Sequence, residues 1–195
     1  MIEITPPLSR AFRQLGWGFV FTLFNIFIFG VDILPDFIGY ILIALALQEI
    51  SRRLTFFNKA KWTSYVLIIV SLPEAFQGSG INLLHVNQNS LQLNLIPAAL
   101  LLVHTLLVYW IFKALIAVAW TYELRDLRHI TAIRGTFYLI VNVSMLILLP
   151  FLMNVTLIWA ATLLPICALL SLIAEFLFLR LFYRYAKEYI GASVS

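Results

Sequence analysis

The chain has 195 residues, of which 63% are hydrophobic and only 11% charged, against roughly 45–50% apolar and 25% charged in a water-soluble domain. That excess excludes a water-soluble globule, because a fold of this size has too little interior to hide it. The net charge of +4 is scattered in small groups, which excludes the dense basic stripe of a nucleic-acid-binding surface.

The solvent implied for most of the chain is lipid, and crossing it takes about 20 apolar residues in a helix. Taken in chain order, six predicted spans emerge, over residues 12–33, 37–53, 61–77, 93–122, 134–152 and 155–183. The first could be mistaken for a signal peptide. Its apolar run from Leu15 to Val31 is longer than a signal h-region, and no A-x-A-like site follows, so it reads as a retained span. The second and third are short and reach the interface through Gln48, Glu49 and Trp62. The fourth is long, and reads as tilted or as projecting past the membrane with ELRDLRHI. Between the third and fourth lies a polar stretch, residues 77–92, with a short surface helix expected over Ile81 to Val86. The expected fold is an all-α, polytopic integral membrane bundle of six transmembrane helices in one domain.

Placement of the basic residues orients that bundle. Arg10 and Arg13 precede the first span. Arg52, Arg53, Lys59 and Lys61 lie between the second and third, and Arg125, Arg128 and Arg134 between the fourth and fifth. Arg180, Arg184 and Lys187 close the chain. Six spans put all of these on one side, which the positive-inside rule makes cytoplasmic together with both termini. The opposite loops carry Asp32, Asp36 and Glu74. Trp17, Trp62, Trp120, Tyr122, Tyr183 and Tyr185 are expected in the inner aromatic belt, and Tyr40 and Trp159 in the outer one. The single cysteine, Cys167, sits in an apolar run and reads as a small buried hydrophobe.

The stretch VDILPDFIGY, residues 31–40, joins the first two spans. Pro35 disfavours helix at Leu34, and Asp36 is placed to cap the next helix through the N–H groups of Ile38 or Gly39. On that reading the stretch is a wet outer hairpin and nothing more. On the other, Asp32, Asp36 and Glu74 form an acidic mouth that binds a cation or a basic ligand. VDILPDFIGYILIALAL also resembles a segment of small bacterial multi-span membrane proteins, in which an Asp-x-Leu/Ile-Pro-Asp-Phe-x-Gly-Tyr turn joins the first two helices. The matching residues are Asp32, Leu34, Pro35, Asp36, Phe37, Gly39 and Tyr40. The resemblance covers about a tenth of the chain and implies a plasma-membrane protein of bacteria, with no activity attached to the turn.

Ionisable groups inside a span are functional candidates by default. Lys113 in the fourth span and Glu175 in the sixth are expected at similar depth, either as an intramembrane ion pair or each reaching the headgroups. Asn25, His104 and Asn142 fall near the midplane of the first, fourth and fifth spans. They read either as interhelical hydrogen-bonding groups or as a transporter's ligand site. His85, His104 and His129 fall outside, mid-membrane and inside, too far apart to share a metal. No HExxH, CxxC, GxSxG or P-loop is present, and no cofactor or catalytic residue is assigned. Three functions stay open: a small transporter or permease-like subunit for a small solute or cation, a non-transporting accessory or scaffold subunit, and a lipid-modifying enzyme. The expected partners are the bilayer and either another membrane subunit or a second copy of the chain, with no nucleic acid.

Overall fold

The computed structural model describes residues 6–23, 27–28, 31–32, 36–76, 91–152 and 157–191. The described chain is helical apart from one minimal hairpin. Helix α1 is Pro6–Leu23, strand β1 Phe27–Ile28 and strand β2 Val31–Asp32. Then come α2 Asp36–Arg53, a 3₁₀ turn Thr55–Phe57, α3 Asn58–Phe76, α4 Leu91–Thr121, α5 Arg125–Leu152 and α6 Leu157–Gly191.

Each helix packs on its neighbours in sequence, and α6 packs back on α1, so the six form a closed ring. The interior of the ring is aromatic, and Phe178 on α6 is its hub. Its ring centroid lies 4.9 Å from that of Phe19 on α1, 4.9 Å from Phe112 on α4, 5.5 Å from Tyr138 on α5 and 4.6 Å from Phe182. Such pairs contribute about 0.5–1.5 kcal/mol each beyond area burial. Between α1 and α2 the backbones meet. A Cβ on Gly18 would stand 2.7 Å from Ile43 Cγ1, and one on Gly39 2.5 Å from Thr22 Cγ2. Only glycine permits this approach. At the α2–α3 turn, Leu54 and Phe57 are buried, and Phe57 sits edge-on to Phe12 with centroids 6.0 Å apart.

Three helical stretches are long and apolar enough to cross a membrane, Ala98–Thr121, Arg125–Leu148 and Pro165–Lys187. At 1.5 Å per residue each spans about 35 Å, past the roughly 30 Å of a hydrocarbon core. Their outward faces carry large apolar side chains, with Ile140 and Ile147 both 60% exposed and Phe176 67%. Water would penalise that surface and lipid does not. This is a helical membrane protein. Helices α1, α2 and α3 have 18, 18 and 19 residues, or about 27–29 Å.

Several boundaries differ from the sequence expectation. The first helix is Pro6–Leu23, not 12–33. It opens on two prolines, which suit the start of a helix. Beyond Leu23, the aromatic and β-branched Phe27, Ile28 and Val31 favour extended backbone. Phe27 and Ile28 pair antiparallel with Asp32 and Val31. Asp32 therefore lies in a hairpin strand rather than at the end of a helix. The segment ELRDLRHI does not extend α4: Glu123 and Leu124 lie in the turn after it, and the rest opens α5. Helix α4 stops at Thr121, and α5 starts at Arg125, nine residues before the expected 134. The stop has the hydrogen bonds of a Schellman cap, Leu124 N–H to Ala119 O (2.9 Å) and Glu123 N–H to Trp120 O (3.2 Å). Glu123 takes the left-handed position, with φ 57°. The expected surface helix over 81–86 lies outside the described residues. Two members of the expected aromatic belts are core residues instead, since Tyr40 is 3% exposed and Tyr185 fully buried. The hydroxyl of Tyr185 finds a carbonyl inside, Leu115 O at 3.0 Å, which removes its need for the interface.

Candidate functional site

Three polar side chains from three different helices meet inside the ring. They are His104 on α4, Tyr138 on α5 and Glu175 on α6. Tyr138 and Glu175 belong to the buried stripes of their helices, and His104 is partly exposed on α4. On α5 that stripe is Leu127, Thr131, Gly135, Tyr138 and Asn142, all buried and spaced as one face of a helix. On α6 it includes Ala174, Glu175, Phe178 and Phe182.

The Tyr138 hydroxyl donates to Glu175 Oε1 at 2.5 Å, the length of a charge-assisted O–H···O bond. His104 Nε2 lies 3.1 Å from Tyr138 Oη and 3.3 Å from the same Glu175 Oε1. Since Tyr138 spends its single proton on Glu175, its oxygen is free to accept from His104 when Nε2 carries hydrogen. The order of donation is then imidazole to phenol to carboxylate. Glu175 Oε2 is also buried and has no hydrogen-bond partner among the described residues.

Aromatic rings wall the cluster. Phe19 meets His104 edge-on at 5.8 Å, and Tyr40 lies at 6.1 Å on another side. Phe112 and Phe178 cover Tyr138. One turn before Tyr138, Arg134 donates from Nη1 to Leu177 O at 3.2 Å, which ties α5 to α6. One turn after it, Asn142 Nδ2 donates to Tyr138 O at 3.0 Å. A second polar node joins the same three helices ten residues further along α6. There Tyr185 Oη donates to Leu115 O and lies 2.9 Å from Thr131 Oγ1. The Tyr185 node leaves no buried side-chain oxygen without a partner, and the Glu175 node leaves one. Among the described residues, no three His, Cys, Asp or Glu side chains are grouped to hold a metal.

The sequence candidates are distributed as follows. His104 and Glu175, assigned to separate groups, belong to one cluster. Helix α6 runs on to Gly191 rather than ending at 183, which moves Glu175 from the inner half of its span towards the middle. The expected Lys113–Glu175 pair is not formed. Lys113 is exposed on the opposite side of α4, with Nζ 5.5 Å from the Tyr109 ring centroid and 5.7 Å from that of Trp110. Nine residues from His104 is half a turn out of phase, and Glu175 follows the imidazole. Asn142 is buried, and its Nδ2 donates within its own helix, to Tyr138 O. Asn25 lies outside the described residues. Asp32 stands in β2, Asp36 opens α2, and Glu74 lies in the last turn of α3. Because α2 and α3 pack together across a short turn, the start of α2 and the end of α3 share one end of the bundle. Tyr138 was not among the sequence candidates. Its signal was its register, four residues from both Arg134 and Asn142 in an otherwise apolar run.

No protein-family model matches this chain, and neither a curated protein nor a solved structure shows significant similarity to it.

Proposed function

We propose that this protein is a small permease-like subunit of the plasma membrane. Its six helices each cross the bilayer, with both termini cytoplasmic, and its His104–Tyr138–Glu175 centre takes up and releases a proton or small cation as a solute moves. The observation that carries the reading is Glu175 Oε2, a buried carboxylate oxygen without a hydrogen-bond partner among the described residues, ten residues beyond Pro165 and twelve before Lys187 in a membrane-length stretch. A carboxylate kept only to hold helices together is stabilised by satisfying both oxygens. One held by a single oxygen retains a lone pair for a proton or cation. Asp32, Asp36 and Glu74 at one end of the bundle would raise the local cation concentration there. The basic residues Arg52, Arg53, Lys59 and Lys61 at the other end of α2 and α3 support a cytoplasmic assignment for that end.

The test is ion flux in proteoliposomes loaded with a pH-sensitive dye. Wild type is expected to dissipate an imposed pH or cation gradient faster than empty vesicles, and Glu175→Gln to lose that activity. Equal rates for wild type and Glu175→Gln would refute the role of the centre. Impermeant labelling of single cysteines at Asp32 and Lys59 checks the orientation, with only the former expected to react from outside.

A second reading, an accessory or scaffold subunit, draws support from α6. Between Leu163 and Ile173 this helix exposes Leu163, Ile166, Leu169, Leu170, Leu172 and Ile173 on successive turns. The same flux assay separates the two, because a scaffold subunit leaves the gradient intact.

A further inference from the structure

The elbow between α4 and α5 contains a pocket of about 410 Å³ lined by Ala119, Trp120, Glu123, Arg125 and Arg128. It lies where one membrane-length stretch ends at Thr121 and the next begins at Arg125, which is the depth of the lipid headgroups. Its lining carries both signs of charge. Arg125 and Glu123 are exposed. The Arg128 guanidinium lies over Trp120, with its Cζ 4.5 Å from the ring centroid. Stacking on indole fixes a guanidinium and leaves its in-plane N–H donors free for a phosphate. Trp120 itself is 68% exposed. Glu123 is held in the left-handed conformation by the Schellman cap, so its Cα position in the pocket is set by the elbow and not by a flexible loop.

The geometry points to a binding site for a phospholipid headgroup that carries both a phosphate and a primary amine. Arg125 and Arg128 provide the phosphate donors, and Glu123 the acceptor for the ammonium. A purely anionic headgroup would meet the same two arginines but also an unpaired carboxylate, which opposes it. The site is independent of the buried Glu175 centre.

The test is lipid retention by delipidated protein in native mass spectrometry, titrated with phosphatidylethanolamine or phosphatidylglycerol. Wild type is expected to retain phosphatidylethanolamine in preference. Glu123→Gln should weaken retention of that lipid about tenfold, the size of one charge-assisted hydrogen bond, and leave phosphatidylglycerol retention equal or stronger. Arg128→Gln and Arg125→Gln should weaken both lipids. All three side chains lie at the surface, so size-exclusion profiles should match wild type. An unchanged lipid preference in Glu123→Gln overturns the proposal, as does unchanged retention in both arginine variants. Displacement of the lipid by an equal concentration of inorganic phosphate also overturns it, since the site would then read a free anion.

Discussion

Tyr138 and Glu175 join α5 to α6 through one short hydrogen bond, 2.5 Å from hydroxyl to carboxylate oxygen, with both side chains buried. The bond is the tightest polar link in the middle of the ring, and His104 completes it from α4. Its energetic weight follows from asymmetry. Removing one partner of a buried hydrogen bond exposes the desolvation cost of the other.

Tyr138→Phe is therefore expected to destabilise the protein by about 1–3 kcal/mol, read as a drop in Tm in detergent. Glu175→Leu removes the orphaned carboxylate as well, so Tyr138→Phe/Glu175→Leu should be less destabilised than the sum of the singles. Strict additivity in this cycle would show that the two side chains are not coupled.

The α1–α2 contact gives a graded glycine series. Gly18→Ala and Gly39→Ala each force a methyl into atoms of the facing helix, at 2.7 Å and 2.5 Å. Each should cost about 1–3 kcal/mol through overpacking and lower the yield of monodisperse protein. Gly16→Ala meets nothing closer than 3.8 Å and should behave as wild type. Similar thermal stability across all three would contradict the close approach of these helices.

Glu123 offers the opposite sign. It occupies the C′ position of the α4 cap with φ 57°, where a side chain is strained and glycine is not. Glu123→Gly should stabilise by about 0.5–1 kcal/mol. Glu123→Gln keeps the Cβ and should leave Tm unchanged. A loss of stability in the glycine variant would show that the carboxylate, and not the backbone, governs this turn.

Lys113→Gln should leave stability within about 0.5 kcal/mol of wild type, because Lys113 is exposed and pairs with no carboxylate among the described residues. A loss comparable to that of Tyr138→Phe would restore the ion pair with Glu175 and contradict the arrangement around His104.

Helices whose burial rests on apolar composition alone were legible in the sequence. The expected spans 37–53 and 93–122 lie within a residue or two of α2 and α4, since long apolar runs in a membrane protein have one stable form. The start of α5 was not legible by that measure. RDLRHITAI is polar, and its helical signal is a period. Leu127 and Thr131 turn inward while Arg125, Asp126 and His129 turn out, which a search for apolar runs passes over. The hairpin after α1 escaped for the converse reason, because its Phe27, Ile28 and Val31 are apolar yet prefer extended backbone.

The sequence by itself determined that this is a helical membrane protein, that its charges are segregated along the chain, and that His104, Asn142 and Glu175 are polar groups within apolar runs. Hydropathy is a property of local composition, and the bilayer acts on composition directly. Only the tertiary structure decided which of these groups meet. The pairing of Glu175 with Tyr138 and His104, and not with Lys113, depends on the rotational phase of three helices separated by 34 and 37 residues. That phase is set by ring packing around Phe178 and by the close approach of Gly135 on α5 to the Phe112 ring on α4, neither of which is a property of any one segment.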